Sequence, residues 1–159
     1  MQIEFISPLA LPSVAQTLDF TCGAACFDSM FKYFTGSSPG EMHFAEELGS
    51  LALGYTPPEN IVELARHYGF FCEMKVSAQI SDLVAPLGRG EVVFVTWWDE
   101  DAGHYSLVKG LEREHIILMD PWLARDGWDN RLAIRDFFPN WMARGCRMIR
   151  VHSNFTFCK

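Results

Sequence analysis

The hydrophobic period of this chain changes once, near Gly69, and that change limits the architectures open to it. Before Gly69 apolar residues recur at helical spacing; after it they gather in short β-branched and aromatic runs. From Cys22 to Tyr33, the residues Ala25, Cys26, Met30, Phe31 and Tyr33 fall near one helix face, and Gly36 closes the segment. A second helix is expected over Glu41 to Leu48. A third follows Pro58, from Glu59 to about Tyr68, and a fourth short one covers Ser81 to Leu87. The strand candidates are Phe71 to Val76, Val92 to Trp98, His104 to Leu111 and His115 to Met119, the last two joined across Glu112-Arg113-Glu114. An irregular stretch, Trp122 to Asn130, a short helix about Leu132 to Phe138 and a last strand, Cys146 to His152, complete the chain. Helices first and an antiparallel sheet second argue for an α+β fold and against a parallel doubly wound one.

Nothing divides the 159 residues: there is no repeat, low-complexity tract or Pro/Ser linker, so one domain over 1–159 is expected. Thirteen Lys+Arg against twenty Asp+Glu leave a net charge of −7 and no basic excess for a nucleic-acid partner. No stretch approaches 18 uninterrupted apolar residues, which rules out a membrane-spanning helix. The first residues, Met1 to Val14, carry no Lys or Arg, unlike a secretory signal, and a cytoplasmic location is expected.

The five cysteines, at 22, 26, 72, 146 and 158, are odd in number and include no Cys-x-x-Cys pair. They read as free thiols rather than as a disulfide framework or a four-ligand zinc site, and no metal or organic cofactor is implied. Cys22 stands out because Gly23, Ala24 and Ala25 follow it at the start of an apolar helix. A thiol there feels the positive end of the macrodipole and unpaired backbone N–H groups, both of which favour the thiolate. The Cys22 N–H is also placed to donate to an oxyanion, and the Gln16 side-chain amide offers a second donor. The same residues equally describe a small buried Cys that begins a helix and a solvated loop Gln.

A thiolate nucleophile needs a base, and the base an orienting partner. His43, His67, His115 and His152 sit among charged neighbours or at strand ends, whereas His104 follows Gly103 at the mouth of a strand. If a three-residue turn joins the strands, Leu111 faces His115 and Ser106 faces Asp120. His104 and Asp120 are then diagonal neighbours on one face; a two-residue turn would separate them. Singly, His104 reads as a strand cap and Asp120 as the start of an Asp-Pro turn.

Gln16, then Cys22-Gly23-x-Ala25-Cys26, then His104-Tyr105 and Asp120-Pro121 resemble the signature of the bacteriocin-processing cysteine peptidases. Those are papain-like domains that cut secretion leaders after a double glycine, together with their stand-alone relatives. The resemblance runs from about Gln16 to Trp122. It implies a papain-like fold, a helical half carrying the cysteine packed on an antiparallel sheet carrying His and Asp. It makes Cys22 the nucleophile, His104 the general base, Asp120 the orienting carboxylate and Gln16 part of the oxyanion hole. Thr21 stands where leader-cutting members usually carry Asp, and the chain has no Walker-type phosphate loop for a fused transporter ATPase.

The expected function is therefore a cysteine peptidase that hydrolyses a peptide bond through an acyl-enzyme, with a peptide or protein substrate and a possible separate transporter partner. An acyltransferase or amidase using the same triad, and a non-catalytic peptide-binding module, are the alternatives. The acidic run Asp99-Glu100-Asp101 before His104 suggests a substrate with positive charge near the cleft.

Overall fold

The computed structural model describes residues 5–98 and 103–154. The acidic run at 99–101 and the fifth cysteine, Cys158, lie outside the described residues. The helical half comprises α1 (Cys22–Thr35), α2 (Glu41–Glu47), a single turn α3 (Ser50–Leu53) and α4 (Pro58–His67). The α1 helix ends where Gly36 adopts φ +88° and returns its N–H to the Lys32 carbonyl, a left-handed cap that glycine takes without a Cβ penalty. The α4 helix begins with proline in its first turn, where the missing N–H costs nothing, and carries Arg66 and His67 in its last turn.

The second half supplies β1 (Phe71–Lys75), α5 (Val84–Gly88, after a 3-10 turn), β2 (Val92–Trp97), β3 (His104–Leu111), β4 (His115–Met119), β5 (Asn130–Ala133), α6 (Ile134–Ala143) and β6 (Met148–His152). All pairings are antiparallel, in the order β1-β6-β2-β3-β4-β5. The sheet is covered on both sides. Phe94, Leu107 and Ile149 point to the face packed by Phe27, Met30, Phe44 and Ile61 of α1, α2 and α4. Val93, Val95 and Val108 point to the opposite face, against Leu83, Leu87, Phe137 and Trp141. That double cover explains why β2 reads as an unbroken apolar run rather than an alternating one.

Two expectations are corrected. The segment around Leu132 to Phe138 is not one helix. Asn130–Ala133 pairs with β4 as an edge strand, and only then does α6 begin, running on through Pro139 to Ala143. Four half-buried residues give too short an alternation to show in sequence.

The β3–β4 turn also differs. The Glu112 N–H donates to the His115 carbonyl at 2.8 Å, so the loop is the two-residue Arg113-Glu114, and Leu111 faces Ile116 rather than His115. A bulge between Val108 and Gly110 then shifts the register by one, so that Val108 faces Leu118 and Leu107 faces Met119. Continued by one residue, this places Ser106 opposite Asp120. A two-residue turn plus a bulge gives the facing that an odd loop would have given. The bulge is braced by the N-terminal segment: Ile6 exchanges backbone hydrogen bonds with Leu111, and the Leu9 N–H donates to the Lys109 carbonyl. A Cβ on Gly110 would lie 2.7 Å from the Ile6 carbonyl oxygen, so only glycine admits that strap.

Candidate active site

Cys22 is the first residue of α1, and its backbone N–H therefore has no acceptor within the helix. Thr21, before it, makes no capping hydrogen bond to the helix. Its hydroxyl instead closes the preceding loop, accepting from the Leu18 N–H and donating to the Leu18 carbonyl, both at 3.0 Å. Glu41 braces the same loop by accepting the Thr17 N–H at 2.8 Å. Behind the nucleophile, Gly23 leaves room for Thr56, whose hydroxyl pairs with Ser50 at 2.6 Å and whose carbonyl accepts the Tyr105 hydroxyl at 2.8 Å. Cys26, one turn further on, is fully buried; burial, then the charge of Cys22, push its thiol well above the ordinary range. It is a packing residue of the α1 core.

The first residue of β3 meets the first residue of α1. His104 is 3% exposed, and its Nε2 lies 2.6 Å from Asp120 Oδ1. The Cys22 side chain is the other group acting on this ring, and with Nε2 engaged by Asp120, Nδ1 is the nitrogen left for sulfur. Burial is the largest influence on the ring and opposes its charge. The hydrogen bonds to Asp120 and Cys22, with the negative charges of both, outweigh it and push His104 up to about 9. For Asp120, burial again opposes charge first, but the His104 hydrogen bond and charge, the Trp122 N–H and Asn130 hold the carboxyl below its ordinary value. Trp122 donates its N–H to Oδ1 at 3.0 Å and Asn130 its amide to Oδ2 at 3.1 Å, so the carboxylate is fixed on both oxygens. Trp98, at φ +94°, turns its ring edge-on to the imidazole with centroids 4.9 Å apart. Trp97 lies on the same imidazole at 6.1 Å.

Gln16 is buried, and its backbone N–H donates to the carbonyl of Pro121, which ties the loop before Cys22 to the turn after Asp120. Its Nε2 donates to the Leu18 and Asp19 carbonyls at 2.9 and 3.2 Å. The structure thus brings Cys22, His104 and Asp120 into one chain of contacts, with Gln16 beside them and its amide turned into the loop. Cys22 opens onto a cleft of about 450 Å³ lined by Gly54 to Thr56, Thr96, Tyr105, Arg144 and Arg147. Among the described residues, no group of three or more His, Cys, Asp or Glu converges to hold a metal ion. Sequence reasoning missed Asn130, Glu41, the two tryptophans and the arginines. Only Asn130 left a trace, as the polar residue that ends the stretch begun by Asp120-Pro121.

The Peptidase C39 family model matches residues 10–144. Three solved structures share the fold. The peptidase domain of Streptococcus ComA, a bifunctional ABC transporter of a quorum-sensing pathway, is 22% identical, with a TM-score of 0.70 over 89% of this chain and 97% of that one. A double-glycine-motif protease from an AMS/PCAT transporter, solved with its leader peptide, is 16% identical, with a TM-score of 0.72 over 96% and 100%. A C39-like peptidase from Bacillus anthracis is 15% identical, with a TM-score of 0.77 over 97% and 100%. A search of curated proteins gave no match. The chain belongs to the Peptidase C39 family and is a cysteine-type peptidase. Among the described residues, no helix is long and apolar enough to cross a membrane.

Proposed function

We propose that this cysteine-type peptidase hydrolyses peptide bonds through a Cys22–His104–Asp120 triad in a single papain-like domain, residues 1–159. The observation that carries the reading is one buried imidazole hydrogen-bonded to a carboxylate and acted on by a thiol at a helix N-terminus. In the ground state His104 holds the proton from Cys22 as imidazolium, stabilised by Asp120. The thiolate forms its C–S bond as the carbonyl π electrons move to oxygen. That oxyanion takes a hydrogen bond from the Cys22 N–H and, once it turns from the loop carbonyls, from the Gln16 amide. Collapse breaks the C–N bond, and the departing amine takes the proton from His104. Water, giving its proton to His104, then attacks the thioester, releasing the acid and restoring the thiolate.

The substrate in this reading is a peptide or protein. A leader peptide like the one bound to the double-glycine-motif protease, a separate transporter partner and a cytoplasmic location belong to the same proposal. The test is the rate of Cys22 alkylation by iodoacetamide across pH, with the site read by peptide mass spectrometry. Fast labelling well below pH 8, lost in His104→Gln, is expected, as is loss of turnover in a folded Cys22→Ala variant. An ordinary thiol profile at Cys22 would remove the nucleophile and the mechanism with it.

A further inference from the structure

The cleft contains two polar groups that the triad does not use and that the fold leaves unsatisfied. Thr96 lines it at 8% exposure, yet its Oγ1 is buried with no hydrogen-bond partner among the described residues. Arg147 lines it as well, and its Nε is likewise buried and unpartnered. No carboxylate pairs with the Arg147 guanidinium among the described residues. Buried donors without acceptors cost about 1–3 kcal/mol each, so two in one cleft indicate something that arrives to satisfy them.

The register shows that they form one feature. In β2, Thr96 faces Tyr105 of β3, and Val95 faces Met148 of β6. One step further along the β2–β6 pairing sets Arg147 opposite Thr96. Arg147, Thr96 and Tyr105 therefore form a row across three neighbouring strands, on the face that carries Phe94, Leu107 and Ile149 toward α1. At this end of the sheet the row runs past the core and becomes a cleft wall beside Cys22. Arg144, which donates its Nε to the Trp98 carbonyl at 3.0 Å, adds a second cation to the lining. Among the described residues the lining carboxylate is Asp19, and Glu59 lies within electrostatic reach of Tyr105. Two guanidinium side chains thus line the cleft of a protein whose net charge is −7.

We propose that Thr96 and Arg147 form a carboxylate-binding subsite, so that the peptidase selects substrates bearing a carboxylate close to the scissile bond. This rests on Cys22 being the nucleophile of that cleft. A guanidinium offers a planar fork that matches both oxygens of a carboxylate, and the adjacent hydroxyl supplies a third donor. The carboxylate can belong to an Asp or Glu side chain or to a free chain terminus.

Three thiol-directed probes separate these sources: iodoacetyl-Glu-amide, iodoacetyl-Gln with a free α-carboxylate, and the neutral iodoacetyl-Gln-amide. In the wild-type chain at least one charged probe should label Cys22 about tenfold faster than the neutral one, and the faster of the two identifies the source. Arg147→Gln and Thr96→Val should bring the charged-to-neutral ratio toward one, while Arg147→Lys retains part of it by keeping the charge without the fork. Fast labelling by all three probes at equal rates would overturn the subsite and leave the nucleophile standing. A ratio that survives both Arg147→Gln and Thr96→Val would also overturn it. Slow labelling by all three would instead remove the nucleophile and, with it, the subsite.

Discussion

Replacing Gly23 by alanine should destabilise the fold and slow the thiol, although alanine is the better helix former. A Cβ at this position would sit 2.8 Å from Thr56 Oγ1, 2.9 Å from Thr56 Cβ and 3.1 Å from Thr56 Cγ2. Thr56 cannot step back freely, because its hydroxyl is bonded to Ser50 and its carbonyl to the Tyr105 hydroxyl. Overpacking costs about 1–3 kcal/mol and breaking the buried hydroxyl pair about 1–3 kcal/mol, against a propensity gain of about 1 kcal/mol. The balance is a loss of roughly 3 kcal/mol, or about 6–12 °C in melting temperature for a chain of this size. Because the contact lies directly behind Cys22, relief by a shift of α1 moves sulfur away from His104, and alkylation should slow by tenfold or more. Circular dichroism melts and iodoacetamide kinetics on the same preparation measure both effects. A melting temperature equal to or above that of the wild type would show that helix propensity wins and that Thr56 is not the rigid wall described.

Asp120→Asn should impair turnover less than His104→Gln, because the thiolate–imidazolium pair persists without its carboxylate. It should also move the alkaline limb of the Cys22 labelling profile to lower pH; equal losses and an unmoved limb would contradict that division of roles. Asn130→Ala removes the hydrogen bond to Asp120 Oδ2 and should lower kcat/KM by about tenfold, whereas unchanged kinetics would show that the Trp122 N–H alone holds the carboxylate. His104 is raised from 6.5 to about 9 on folding, so the native state binds its proton more tightly than the unfolded chain. That contribution, at most about 3 kcal/mol, is complete below pH 6.5 and is lost as pH rises through about 9. Urea unfolding of the wild type and His104→Gln at pH 6 and pH 9.5 should show the stability gap narrowing at the higher pH, and a constant gap would refute the linkage.

The residues that carry chemistry were more legible than the backbone that aligns them. Cys22 announces itself because a small-residue run opens an apolar helix, a local pattern. The facing of His104 and Asp120 was also anticipated, but through a three-residue turn that does not exist. The actual device is a bulge near Lys109, braced by Ile6 and Leu9 from about one hundred residues earlier, and no window on β3 contains that information. The strand at Asn130–Ala133 escaped because four residues at a sheet edge have no period to read. Arg147 escaped for a related reason: its meaning lies in standing opposite Thr96, a pairing between strands some fifty residues apart.

The place of β6 in the sheet has a consequence for how the molecule comes into being. The strand at Met148–His152 is inserted between β1 and β2, and among the described residues no other strand pairs with both. A nascent chain that has exposed everything up to β5 still lacks the strand that closes its sheet, and with it Arg147. Such topology makes folding depend on late, distant pairings rather than on local ones, which places it on the slow side for its size. Full assembly of the cleft thus waits until β6 has left the ribosome, a delay set by strand order alone.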